Sequence, residues 1–463
     1  MDYIIVGGGP CGLTCALHLS QMKRKVLLIE RTNSLGGCHR VLRTEDGLFT
    51  EHGPRIYSST YRNVNEILNL IGTSWDETFV PYNFNFSKIQ GKSFGNFSRR
   101  ELAILTNEFL SFLLFFRENR NESVEHFASR HNFSSSSLDY MDRMCRLTDG
   151  AGADRYSVFQ FLQLVNQNMF GRLYQPKKPN DQHLFKLWGE KLKKNGVKIL
   201  LNSQVESVVN NTVYTNQGVF TARKILLCIP PKPFLTLSKN VVIGSSTLFE
   251  AYNKSINISA WVERNSYSIY IPITFHWRAK HDLTKVWGFP SDDWGVAFIV
   301  LSDYMNKVED GYSVVISTCI TRVNTVSNTI GKTALECNEE ELVSETFRQL
   351  KVSFPDLEPY DKTVVYNKDL DTAYVATSNE PYLPMNVAKD VYYIGTQNGR
   401  TFYSFTSMES AVTNALFAIS DIEGYDIQIK DNPYTVRRIF WIAIMIYLLI
   451  KIMIGIKITS VLF

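Results

Sequence analysis

The residues best equipped for chemistry stand at the start of the chain. In the stretch VGGGPCGL, Gly7, Gly9 and Gly12 fit the spacing GxGxxG, and Glu30 follows the third glycine by 18 residues. Glycines so spaced make a tight turn, let backbone N–H groups approach a pyrophosphate and allow a helix to pack closely on a strand. An acid at that distance accepts from a ribose hydroxyl. The chemistry implied is capture of an adenine dinucleotide, with NAD and FAD both open; a glycine-rich turn that binds nothing is the plain alternative. A second glycine turn, Gly36–Gly37, and a rigid Gly53–Pro54 bend bring two cations, Arg40 and Arg55, into the same ligand-sized region.

These residues need a frame. Tyr3–Val6 and Val26–Ile29 are short apolar runs that predict strands, and Cys11–Leu19 has helical apolar spacing, giving strand, glycine turn, helix, strand. From Arg99 to Phe170 the pattern is helical, and from Asp181 α/β texture returns in HLFKLWGEKLKKNGVKILLNSQVESVV and GVFTARKILLCIPPKPF. Residues 248–323 alternate apolar and polar, which predicts antiparallel strands, and NEEELVSETFRQLKVSFPDL predicts an amphipathic helix. The last α/β piece is a strand to Ile394, a loop with Gly395 and Gly399, and a helix from about Ser407.

A chain of 463 residues exceeds one ordinary core. The expected class is α/β: a Rossmann-like dinucleotide-binding domain assembled from residues 1–75, 178–240 and 385–425, an α+β substrate domain from 76–177 and 241–384, a linker at 426–438 and a membrane tail at 439–463. The net charge of +4 is modest and spread, so nucleic acid is not an expected partner. Seven cysteines are scattered without a CxxC pair or zinc-type spacing, so free thiols and no metal are expected. The first apolar run is too short for a signal peptide.

The tail IFWIAIMIYLLIKIMIGIKITSVLF has 25 residues, enough for a span at roughly 1.5 Å per residue across a core of about 30 Å. Lys451 falls near its middle at a cost of about 3 kcal/mol on insertion scales, which snorkelling or a shallow interfacial pose reduces. Arg437 and Arg438 before it favour a single-pass tail anchor with the enzyme body on the cytoplasmic side.

Together VGGGPCGL, Glu30, SLGGCHR, HGPR, VESVV…KILLCIPP and IGTQNGR…SMESAV resemble the flavin-containing amine oxidase superfamily, which includes protoporphyrinogen oxidases, monoamine and polyamine oxidases, carotene desaturases and, more distantly, UDP-galactopyranose mutases. The motifs occur in the family's order and cover nearly the whole chain except the tail. The resemblance implies FAD, with Gly7, Gly9 and Gly12 under the pyrophosphate and Glu30 on the adenosine ribose. It further implies Gly37 and Arg40 beside the phosphates and flavin, Gly53, Pro54 and Arg55 near the isoalloxazine, Val205 at the adenine, and Gly395, Met408 and Glu409 at the ribityl chain and flavin edge.

The sequence also departs from the family. VVYNKDLDTAYVATSNEPYLP lacks the cysteine that tethers flavin in monoamine oxidases, so the FAD is expected to be non-covalent. The lysine that many amine oxidases hold near the flavin has no firm counterpart, Lys280 and Lys285 reading as solvated. The implied activity is hydride transfer from a C–N or C–C bond of a small amine or lipophilic substrate to flavin, with oxygen as acceptor. Phe402, Tyr403 and Phe405 are candidate pocket walls. In the alternative, a non-redox mutase, Asn398 and Arg400 of the Asn-Gly-Arg loop bind a nucleotide-sugar. The third reading is a membrane-held FAD scaffold without catalysis.

Overall fold

In the computed structural model the described residues are all but 84–96, 116–118, 265, 286–292, 307, 367–371, 376–381, 402, 404–405 and 462–463; within helices and strands the side chains of 147, 149, 266–269, 372–375 and 453–461 also lie outside the description. Six short strands form the central sheet: β1 (Tyr3–Val6), β2 (Val26–Ile29), β3 (Lys198–Leu200), β4 (Lys224–Leu227), β5 (Asn386–Ala388) and β6 (Val391–Tyr393), in the order β5-β6-β4-β1-β2-β3. All neighbours are parallel except the β5–β6 pair at one edge. This is the Rossmann-like α/β unit read from the sequence, and its strands come from three separated pieces of chain.

The reason is visible in β1 and β2. YIIV and VLLI are buried at every position, as a sheet covered on both faces requires. Alternate residues feed opposite cores: Tyr3, Ile5 and Leu28 join one apolar cluster, and Ile4, Val6, Leu27 and Ile29 the other. The first cluster includes α1 (Pro10–Gln21), which starts with Gly9 as its N-cap and Pro10 at its first position, where a missing N–H costs nothing. The helices α2 (Arg99–Phe115) and α3 (Val158–Asn168) lie in the inserted helical region, and α4 (Met408–Glu423) packs against α1.

A second, four-stranded antiparallel sheet faces the glycine turns. Its order is Val296–Val300, Val314–Ile320, Ile271–Trp277, Lys362–Val365. One face, with Ile273, Phe275, Phe298 and Ile316, packs into a core with the helix Glu339–Leu350. The register sets Ala297 opposite Cys319 and Ile299 opposite Ser317 on the other face.

Two expectations need correction. Leu248–Asn253 and Ile258–Arg264 are helices, not strands. Thr247 accepts from the Glu250 N–H while the Glu250 side chain returns to the Thr247 N–H, and this reciprocal cap outweighs a short alternating pattern. The expected membrane span is also not obtained: among the described residues no helix is long and apolar enough to cross a membrane. The terminal helix α5 (Val436–Val461) meets the body at its start. Val436 and Phe440 join a small apolar cluster with Phe112 and Leu162, and the Trp441 indole donates to the Leu113 carbonyl at 3.0 Å. Beyond that foothold Ile442, Met445, Ile446, Leu449 and Ile452 are each more than half exposed. Its side chains are described only to Ile452, fewer residues than the ~20 a span needs. The segment before α5 is docked, with the Lys430 N–H donating to Asn63 Oδ1 at 2.8 Å and Asn432 Nδ2 to the Gln167 carbonyl at 2.9 Å.

Candidate functional site

The glycine turn closes on itself by contacts that only small residues permit. Gly7 has φ +109°, and a Cβ there would lie 2.4 Å from the Cys228 carbonyl oxygen. A Cβ on Gly12 would lie 2.0 Å from the Gly7 carbonyl oxygen, so this glycine sets the helix–strand distance. Gly9 differs: a Cβ there would meet only the Gly37 Cα, at 3.7 Å. Nothing in the fold forbids a side chain at Gly9, so its openness belongs to whatever the turn binds.

Glu30 clamps this turn. Its carboxylate accepts from the Gly8 N–H at 2.7 Å, the Thr32 N–H at 2.9 Å and the Thr32 hydroxyl at 2.8 Å. A carboxylate has about four acceptor positions, so capacity for one more donor remains.

Around the turn runs a cleft of about 810 Å³, within the ~300–1,000 Å³ range of small-molecule and cofactor sites. It brings together Gly7, Gly9, Glu30, Gly37, Arg40, Gly53, Arg55, Val205, Gly395 and Met408, residues spread across nearly the whole chain. Gly12 does not line it and acts through packing. Glu409 does not line it either: its oxygens accept from the Asn63 N–H and side-chain amide and from the Val64 N–H, at 2.8–2.9 Å, capping a neighbouring helix. Of the pocket candidates, Asn398 pins its own loop by accepting from the Gly395 N–H and donating to the Leu383 and Tyr393 carbonyls. Arg400 pairs with Asp421 near the C-terminal end of α4 and does not line the cleft. Tyr403 sits one layer back, its hydroxyl bonded to Thr60 and its ring edge-on to Tyr61, which does line the cleft. Phe402 and Phe405 lie outside the described residues, as does most of the segment read as lacking a tethering cysteine, and Lys280 and Lys285 are exposed.

The electrostatics favour an anion. The N-termini of α1 and α4 both reach the cleft and supply partial positive charge. Arg40 donates to the Gly37 carbonyl at 3.2 Å and the Tyr366 hydroxyl at 3.3 Å, and Arg55 to the Cys38 carbonyl, yet the Nε of each is buried without a partner. Burial, helped by Arg55, holds His39 well below the usual imidazole range, so its ring is neutral.

The wall opposite the glycines could not be read from the sequence. Ala297, Ile299 and Cys319 of the four-stranded sheet line it, with Thr321 just after its second strand and with Tyr270 and Tyr366. The ring of His52 lies edge-on to both tyrosines, with centroids 5.7 and 6.1 Å away. The bend at Gly53 meets this sheet, a Cβ there falling 3.6 Å from Cys319 Sγ. Behind it Glu51 is buried, and burial pushes its carboxyl up to about 7 although Ser317 and Arg55 act the other way. The alternation of the 248–323 region announced strands, but only the pairing register shows which face meets the cleft.

A dinucleotide fits these residues: two unpartnered guanidinium donors, two helix N-termini and an open glycine line one elongated cleft. Comparison with known proteins agrees at the level of fold. Residues 5–70 match the NAD(P)-binding Rossmann-like domain family. No curated protein matches the chain in sequence. Among solved structures, wild-type putrescine oxidase bound to putrescine shares 13% identity at a TM-score of 0.64, covering 91% of this chain and 99% of that one. Cyclohexylamine oxidase from Brevibacterium oxydans shares 12% at 0.62, covering 91% and 98%. Reduced UDP-galactopyranose mutase shares 16% at 0.62, covering 92% and 96%. The chain therefore carries a Rossmann-like unit matching a dinucleotide-binding family over residues 5–70, within a fold shared with putrescine oxidase and cyclohexylamine oxidase.

Proposed function

We propose that the chain is an FAD-dependent oxidoreductase that removes hydride from a C–N or C–C bond of a small amine or lipophilic substrate, with oxygen as acceptor. One observation carries this reading: a single cleft is walled on one side by a dinucleotide seat and on the other by an apolar strand and a cluster of aromatic rings. When bound, FAD supplies the hydride acceptor.

The chain's own residues hold and shield. Gly7, Gly9, the start of α1 and Arg40 receive the pyrophosphate; Glu30 and Val205 receive the adenosine; Arg55, Gly395, Met408 and the start of α4 face the ring system. Positive charge at a helix N-terminus favours the more anionic reduced state. Ala297 and Ile299 exclude water and orient the substrate, which contributes more to such a reaction than a protein acid or base. The faces of Tyr270 and Tyr366 attract a cationic amine by roughly 0.5–2 kcal/mol. The mutase reading draws support from the fold match with UDP-galactopyranose mutase. It is weakened by the positions of Asn398 and Arg400, both held away from the cleft.

The exposed apolar stretch of α5 supports attachment to a membrane surface, an arrangement suited to a lipophilic substrate. Deleting residues 437–463 should then give a soluble flavoprotein; sedimentation of the truncated chain with membranes would refute the attachment.

The reaction is tested by the visible spectrum of the full chain purified in detergent, reduced anaerobically and mixed with air. Rapid return of the oxidised flavin bands with peroxide formed supports the oxidase. Slow return favours a dehydrogenase or the mutase, and absence of flavin bands refutes FAD binding. Flavin released by acid denaturation supports non-covalent attachment; flavin that stays on the protein refutes it.

A further inference from the structure

Seven cysteines scattered through the sequence gave no sign of a metal site, yet the fold gathers three of them. The sulfurs of Cys11, Cys15 and Cys228 all lie within 4.8 Å of one another, and none of the three is in a disulfide. Cys11 and Cys15 stand four residues apart on α1 and so share one helix face. Cys228 is placed by the sheet, directly after β4, with its N–H donating to the Val6 carbonyl at 2.8 Å. Regular secondary structure thus fixes all three positions. Cys15 is fully buried, whereas Cys11 and Cys228 also line the cleft beside Gly7 and Gly9.

We propose that Cys11, Cys15 and Cys228 form a binding site for a soft, thiophilic cation, Cu⁺ or Zn²⁺, at the floor of the dinucleotide turn. The geometry suits such an ion: bonds of about 2.3 Å from one centre hold three sulfurs roughly 4 Å apart. Thiolate ligands select Cu⁺ and Zn²⁺ over harder ions. Among the described residues no histidine or carboxylate joins the three sulfurs, so a fourth position on zinc would be filled from the cleft. Binding displaces the thiol protons to solvent. Three thiolates around Cu⁺ or Zn²⁺ leave a net negative charge next to the seat proposed for a pyrophosphate. Metal and dinucleotide therefore oppose one another, and by linkage each weakens the other by the same factor.

The test uses the full chain in detergent, fully reduced and anaerobic. Cu⁺ is delivered in competition with a bicinchoninate chelator and Zn²⁺ with a chromophoric zinc chelator, and bound metal is counted by mass spectrometry after gel filtration. A single ion per chain is expected for the wild type and for the distant Cys337→Ser control, with near-complete loss in Cys15→Ser and Cys228→Ser. X-ray absorption of the loaded wild type should give sulfur neighbours at about 2.3 Å, a readout that does not depend on how well the variants fold. Equal metal in wild type and in the Cys11/Cys15/Cys228 triple serine variant would overturn the site and leave three small apolar residues packed together. Oxygen or nitrogen neighbours alone would overturn it too. FAD content is read separately from the flavin spectrum, so failure of the metal site and failure of FAD binding are distinguishable.

Discussion

The two walls of the cleft are built on opposite principles. The glycine wall is mostly backbone from the first forty residues, positioned by one strand–turn–helix unit and closed at Gly7 by the Cys228 carbonyl at the end of β4. The sheet wall is mostly side chains, Ala297, Ile299, Cys319, Tyr270 and Tyr366, from strands and loops far apart in sequence and aligned only by register. Backbone geometry recognises what all dinucleotides share, while side chains at a register position decide what else fits. Substitutions on the first wall should therefore act on folding or cofactor retention, and those on the second on substrate.

The largest effect is expected at Gly12. A Cβ placed 2.0 Å from the Gly7 carbonyl oxygen forces β1 and α1 apart; Gly12→Val should cost more than about 4 kcal/mol and leave little folded chain by circular dichroism. Gly9 separates folding from binding. Gly9→Leu should match the melting temperature of FAD-free wild type but purify without visible flavin absorbance, and normal flavin content in that variant would undo the dinucleotide assignment.

On the opposite wall, Ala297→Phe should keep flavin content and lower kcat/KM for any amine substrate by about tenfold or more, since the added ring occupies cleft volume. Loss of flavin in that variant would erase the division between the walls. Glu51 gives the most specific effect. Its carboxyl lies near 4.5 when free and about 7 when buried, so the folded state holds the proton more tightly. The resulting stabilisation is complete below pH 4.5 and is lost as pH rises through 7, up to about 3 kcal/mol. Glu51→Gln should flatten stability across that window, as read by denaturant midpoints at fixed pH; an unchanged slope would assign the dependence to another group.

The sequence by itself determined the dinucleotide unit. GxGxxG, the buried runs YIIV and VLLI, and Glu30 are local signals whose physics is complete within some thirty residues. The helices at 248–264 were also locally legible through the Thr247–Glu250 cap, although the alternating pattern concealed them. Tertiary structure decided the rest, because each remaining feature depends on which distant segments meet. Asn398 and Arg400 stand in a motif-like stretch, but their hydrogen bonds and ion pair hold them off the cleft. Glu409 opens a helix that reaches the cleft, yet its carboxylate caps another helix. Cys228 lies more than two hundred residues from Cys11, and only the parallel pairing of β4 with β1 brings their sulfurs together. Spacing along a chain reports contacts within a turn or a strand; a contact across the sheet depends on loop closure and register, which no local pattern encodes.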